Sequence, residues 1–177
     1  WNLVFKWGLS WLLLIVVFAA CQNAENSMQT ESLAQCQNLV HASEYVLALD
    51  ACQKVLAANA ANIEARLLLS SILLKQGRLD EAMQECLLAV EHEPSNAATQ
   101  IALGDILVRK RLNDEALNAY KKALEFDPEG VGAYRKMAVA YTNLNRYSES
   151  VEALLKSLQY EPSHSTTMYN LGLVYQR

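Results

Sequence analysis

Residues 97–130 read AATQIALGDILVRKRLNDEALNAYKKALEFDPEG and divide into two halves around Arg111-Leu112-Asn113. In the first half Leu103, Gly104 and Leu107 stand at i, i+1 and i+4, one face of a helix. In the second, Ala116, Tyr120 and Ala123 set a large side chain between two small ones on one stripe. Small residues let two helix backbones approach closely, and the large one fills the gap to the next pair. Pro128 then stops the helix, because proline cannot continue it and drives its predecessor out of the α region.

Moved by 34 residues in either direction, the pattern returns. Pro94 and Pro162 close the neighbouring stretches, behind Ala82-Cys86-Ala89 and Ser150-Leu154-Ser157. Leu69-Ser70-Leu73 and Met137-Ala138-Tyr141 repeat the first-helix face. The register predicts that Gly104 and Ala116 face each other. It also places Asp80, Asp114 and Ser148 as N-caps of the second helices, and Asn62, Asn96 and Ser163 as N-caps of the first ones.

The pattern resembles the tetratricopeptide repeat, a helix–turn–helix unit of this period. The resemblance covers complete units at 63–96, 97–130 and 131–164, with a first helix of a further unit at 165–177. Residues 29–62 fit a degenerate unit, with Ala48 and Cys52 in register and Ala60 where the terminal proline would stand. The implied fold class is all-α, helical hairpins stacked into a right-handed α-solenoid. Gly172, Leu171 and Tyr175 form a first-helix face that expects a second helix, so the natural chain is expected to continue past Arg177.

Composition agrees with helix throughout. The chain of 177 residues holds only six Gly and three Pro, and helix formers such as Ala, Leu, Glu, Gln and Lys dominate. A net charge of −4, with mixed signs, offers no basic face for phosphates, so nucleic acid is not expected as a partner.

The N-terminus reads separately. Lys6 precedes an apolar run from Leu9 to Ala20, and Ala19-Ala20 lead into Cys21. A run of that length is short for a membrane span and suits an export signal. With Cys21 it resembles the lipobox of bacterial lipoproteins, with Phe18 where that family prefers Leu. The resemblance implies a signal over 1–21 and lipidation of Cys21. Because Gln22 is not the Asp associated with inner-membrane retention, it also implies an outer-membrane, periplasm-facing location. An uncleaved anchor from Trp1 to Ala20, or an ordinary signal peptide, remain the alternatives. Residues 22–30 are polar and suit a tether.

No catalytic constellation emerges, and no cofactor, metal or small-molecule substrate is expected. His41, His92 and His164 stand apart, without metal-ligand spacing, and read as surface or cap residues. Arg109-Lys110-Arg111 falls where cations favour a helix C-terminus. Cys36 and Cys52 fall at facing positions of the first hairpin and could bridge in an oxidising compartment; Cys86 reads as apolar filling.

In the tetratricopeptide family the first helices line a concave groove. The matching positions are Leu67, Ser71, Leu74 and Lys75; Ile101, Asp105, Val108 and Arg109; and Arg135, Val139, Thr142 and Asn143. Their mixed character suits a helix or extended segment of a protein partner. The carboxylate clamp of some relatives, a Lys or Arg followed four residues later by Asn, is not intact: Leu67 precedes Ser71 and Arg135 precedes Val139. The implied function is a non-enzymatic scaffold of the bacterial cell envelope, serving a pilus, secretion or cell-wall complex. The alternative is the anchored regulatory part of a longer enzyme.

Overall fold

The computed structural model describes Ser27 and residues 30–177, which are helical and contain no strand. Lipidation of Cys21, the signal over 1–21 and most of the tether therefore lie outside the described residues. No helix among the described residues is long and apolar enough to cross a membrane. The helices are α1 (30–41), α2 (Tyr45–Ala58), α3 (Ile63–Lys75), α4 (Leu79–His92), α5 (Ala97–Arg109), α6 (Asn113–Phe126), α7 (Val131–Asn143), α8 (Tyr147–Tyr160) and α9 (Ser165–Tyr175). The all-α fold of helical hairpins expected from the sequence is the fold observed. From α2 onward, both first and second helices begin at intervals of 34 residues.

Four backbone turns explain that regularity. Ser43, Gly77, Arg111 and Asn145 have φ of 62°, 78°, 64° and 58°, the left-handed conformation, again 34 residues apart. Each is followed by a residue whose N–H donates back across the turn: Glu44 to Leu39, Arg78 to Leu73, Leu112 to Leu107 and Arg146 to Tyr141. These bonds satisfy the open carbonyls of a helix C-terminus. The same residue is the N-cap of the next helix, so each hairpin turns without slack.

That compactness overturns one expectation. Asp80, Asp114 and Ser148 are not N-caps; they lie inside the first turn, and the N-caps Arg78, Leu112 and Arg146 provide no side-chain cap. The capping position is already fixed by the turn's backbone bonds. Asp80 and Asp114 instead place negative charge at the positive end of the helix dipole. Arg78 and Arg146 each bind the carboxylate three residues on, Glu81 at 2.6 Å and Glu149 at 2.6 Å.

The first helices α3, α5 and α9, entered through longer turns, do use side-chain caps, whereas α7, with Gly130 at its N-cap, has none. Asn96 accepts from the N–H groups of Ala98 and Thr99 at 2.9 and 3.4 Å, and Asn62 from that of Ala65 at 2.9 Å. At α9 the cap is His164 rather than Ser163: its Nδ1 accepts from the Thr167 N–H at 3.1 Å. Position 164, not 163, continues the 34-residue register of Asn62 and Asn96.

The chain forms two compact units, one ending at Ala65 and one from Arg66 onward. In the first, Cys36 and Cys52 are joined by a disulfide with Cα atoms 5.4 Å apart, buried alongside Ala48, Ala51 and Val55. In the second, α4 packs on α5, α5 on α6, α6 on α7, α7 on α8 and α8 on α9. Its core runs through Ala116, Tyr120, Met137, Ala138, Tyr141, Leu154 and Val174.

The pairing expected of Gly104 with Ala116 holds at the equivalent positions of the neighbouring repeats, where the Ser70 hydroxyl donates to the Ala82 carbonyl at 3.1 Å and the Ser150 hydroxyl to the Ala138 carbonyl at 2.9 Å. The residue against Gly104 is Tyr120, whose ring atoms Cδ1 and Cζ would lie 2.6 and 2.7 Å from a Cβ placed on the glycine. Ala116 is fully buried in the same core, and the space left by the glycine is filled by the aromatic ring. The equivalent pairs are Ser70 with Cys86 and Ala138 with Leu154. The bulkiest second-helix residue thus stands opposite the residue without a side chain.

Candidate partner-binding groove

The first helices α5 and α7 open two hollows in the second unit. One, of about 280 Å³, is lined by Leu74, Asp105, Val108, Arg109, Tyr120, Lys136 and Val139. The other, of about 160 Å³, lies among Arg135, Val139, Thr142, Asn143, Leu154, Asn170 and Leu173, with Ala138, Ser150 and Val174 at its base. They meet at Val139, which is 47% exposed although valine is an apolar side chain.

The two hollows are the same feature one repeat apart. Adding 34 to Asp105, Val108, Arg109, Tyr120, Lys136 and Val139 gives Val139, Thr142, Asn143, Leu154, Asn170 and Leu173. The geometry recurs and the chemistry changes. In the first hollow, Asp105 accepts from the Tyr120 hydroxyl at 2.8 Å and pairs with Lys136 Nζ at 2.6 Å. Burial of the Tyr120 ring, then the charge of Asp105 and its hydrogen bond, raise the phenol well above its ordinary value. Tyr120 is therefore a fixed donor, and its hydroxyl holds the carboxylate in place.

Arg109 stands at the rim of that hollow, exposed, and no described residue pairs with its guanidinium. With Asp105 matched by Lys136, the first hollow has one positive charge left over.

In the second hollow the equivalents of Asp105, Tyr120 and Lys136 are Val139, Leu154 and Asn170. Its one charge, Arg135, is bound to Glu161 at 2.8 Å. Inside, the Ser150 hydroxyl donates to the Ala138 carbonyl at 2.9 Å, and Thr142 bonds Ala138 O and Ser150 Oγ at 2.8 and 2.9 Å. These hydroxyls are satisfied internally, which leaves an apolar opening.

Of the residues expected to line the groove, Leu74, Asp105, Val108, Arg109, Arg135, Val139, Thr142 and Asn143 do line these hollows. Leu67, Ser71, Lys75 and Ile101 line neither. Ser71 donates to the Leu68 carbonyl at 2.8 Å, Ile101 is partly buried against the core, and Lys75 is exposed at the end of α3. Sequence reasoning missed Lys136, Asn170 and Leu173. Leu173 lies one repeat after Val139, while Lys136 and Asn170 stand one residue beyond Arg135 and its equivalent Tyr169. Each lines the hollow of the repeat before it, so the signal that finds them is proximity between repeats rather than helix spacing.

A larger hollow of about 480 Å³ lies elsewhere on α7 and α8, beside Tyr134, Tyr141 and Glu152. It includes none of the expected groove residues. Among the described residues no group of His, Cys, Asp and Glu is placed to hold a metal ion.

Comparison with known proteins agrees with this architecture. Models of the tetratricopeptide repeat match residues 39–106 and 131–164, and a TPR repeat model matches 112–145. Together they span more than half of the sequence, and the chain belongs to the tetratricopeptide repeat family. No curated protein matches it in sequence.

Among solved structures, a thermophilic TPR protein of Thermus thermophilus is similar with a TM-score of 0.76 at 19% identity, over 84% of this chain and 81% of that one. MamA is similar with a TM-score of 0.68 at 21% identity, over 80% and 82% of the two chains. YrrB, a TPR protein with an unusual peptide-binding site, gives 0.62 at 19%, over 82% and 75%. At these identities the likeness concerns the fold.

Proposed function

We propose that this protein is a non-catalytic scaffold of the bacterial cell envelope that receives a segment of a partner protein on its first-helix face. The observation that carries the reading is the pair of hollows in one register, sharing the exposed Val139. A segment lying across α5, α7 and α9 would place successive side chains in them. Tetratricopeptide proteins bind protein or peptide partners, and YrrB carries a peptide-binding site. The partner's order is then the source of specificity, because the two hollows differ in charge.

The envelope part of the proposal rests on the sequence before the described residues and on one bond within them. The apolar run ending at Cys21 supports export and lipidation. The Cys36–Cys52 disulfide supports an oxidising compartment, where such bonds persist. Two or three acyl chains would be needed for stable anchoring, since one alone binds membranes marginally. Assistance in assembling a pilus, secretion or cell-wall complex is the role such a tethered scaffold would fill.

The test is affinity capture from detergent-solubilised envelope with the full chain and with Val139→Asp, which puts a charge on the wall shared by both hollows. The variant is expected to lose the partner while keeping the helical circular-dichroism spectrum. Undiminished capture by the variant would remove the groove from the account. For the anchor, a Cys21→Ala chain that is still cleaved normally and yet remains in the detergent phase would exclude lipidation.

A further inference from the structure

Resting on the groove reading above, we infer that the bound segment carries a carboxylate and a branched aliphatic side chain about 10 Å apart, the spacing of packed helices. The carboxylate meets Arg109, and the aliphatic group enters the neighbouring hollow beyond Val139.

The argument is one of complementarity between two otherwise equivalent sites. In the first hollow Asp105 is already satisfied by Tyr120 and Lys136, at 2.8 and 2.6 Å, so a partner cation would have no free carboxylate to meet. Arg109 at its rim has no described partner and presents its charge to solvent. One repeat on, Asn143 replaces Arg109, and its amide donates to Asn113 at 3.0 Å. Asp105 and Lys136 are replaced by Val139 and Asn170, and Arg135 is spent on Glu161. A charged side chain would be desolvated there without a partner, whereas Leu, Ile or Val would cover Val139, Leu154 and Leu173.

The spacing limits how the segment runs. A polyproline-II stretch brings residues three apart to one side at about 9 Å. An α-helix brings residues seven apart to one side at about 10 Å. Spacings of two or five residues meet neither condition.

Short fluorescein-labelled peptides in an Ala/Ser host provide the probe, each with one Asp and one Leu separated by two, three, five or seven residues. Fluorescence anisotropy with the full chain is expected to show binding at three or seven. Replacing the peptide's Asp with Asn should weaken it several-fold, and Arg109→Glu by about tenfold or more, since like charges then face each other. A peptide with Lys in place of Asp should recover binding to Arg109→Glu. Raised salt should weaken the wild-type interaction, because Arg109 is exposed.

The inference is overturned if no peptide of either spacing binds, or if Arg109→Glu leaves binding unchanged. The groove reading fails separately. Envelope capture that survives Arg109→Glu but not Val139→Asp would retain the groove and discard the acidic–aliphatic partner.

Discussion

Gly104→Ala adds one methyl group at the closest approach of α5 and α6. The new Cβ would fall 2.6 and 2.7 Å from Cδ1 and Cζ of Tyr120, far inside van der Waals contact. The ring is held in place: Tyr120 is 1% exposed, and moving it would strain the bond from its hydroxyl to Asp105 at 2.8 Å. Overpacking of this kind costs about 1–3 kcal/mol. Replacing a helical glycine with alanine returns about 1 kcal/mol. The net expectation is a loss of up to about 2 kcal/mol.

Gly172 supplies the control, because it holds the same register two repeats later and a Cβ there meets nothing within 4 Å. Gly172→Ala should therefore show only the helix-propensity gain. The gap between the two substitutions, about 1–3 kcal/mol, isolates the collision with Tyr120. The remedy is written in the next repeat, where Ala138 stands with Leu154. Gly104→Ala combined with Tyr120→Leu copies that pair and should be more stable than the sum of the single changes. Urea denaturation followed by circular dichroism reads all four proteins. If Gly104→Ala stabilises as much as Gly172→Ala, the packing argument is refuted.

Other expectations follow from the turns, the buried thiol and the disulfide. Arg111 holds a left-handed φ of 64°, which costs a side-chain-bearing residue about 1–2 kcal/mol, so Arg111→Gly should raise stability and Gly77→Ala should lower it in the same denaturation assay. Burial, reinforced by the charge of Asp105, pushes the Cys86 thiol from 9.0 up to about 12. The unfolded chain gives up that proton first. The thiol's contribution is therefore complete below about pH 9 and is lost as pH rises toward 12, and Cys86→Ala should show a shallower alkaline decline. Peptide mapping should recover Cys36 linked to Cys52 and Cys86 as a free thiol; reduction, opening a link across 16 residues, should cost about 3 kcal/mol.

The fold was legible because its strongest punctuation is local. Pro94, Pro128 and Pro162 stop helices wherever they occur, and the small–large–small stripes between them mark the packed faces. The turns were harder to read. Ser43, Gly77, Arg111 and Asn145 perform one conformational task with four different residues, and only glycine signals it from sequence. The misplaced caps have the same origin: at Arg78, Leu112 and Arg146 the backbone fixes the helix start and asks nothing of the side chain. His164 escaped because an imidazole nitrogen is an uncommon cap, although the register of Asn62 and Asn96 leads to it.

For the groove, helix spacing identified one wall. Leu74, Asp105, Val108, Arg109 and Val139 could be read from their own helices. The electrostatic character could not, since it depends on Lys136 reaching Asp105 across 31 residues and on Tyr120 entering from the second helix. Leu67 and Ile101 occupy groove positions by register and still line no hollow, because register fixes a direction and not the space left beside it.

Site-specific photo-crosslinking tests the central claim most directly. A photoreactive amino acid at Val139 lies on the wall shared by the two hollows, whereas one at Leu88 lies on the second helix α4 with similar exposure, 38% against 47%. Irradiated in detergent-solubilised envelope, the Val139 protein is expected to form a discrete adduct with a partner and the Leu88 protein none. An adduct from Leu88 with none from Val139 would contradict the account.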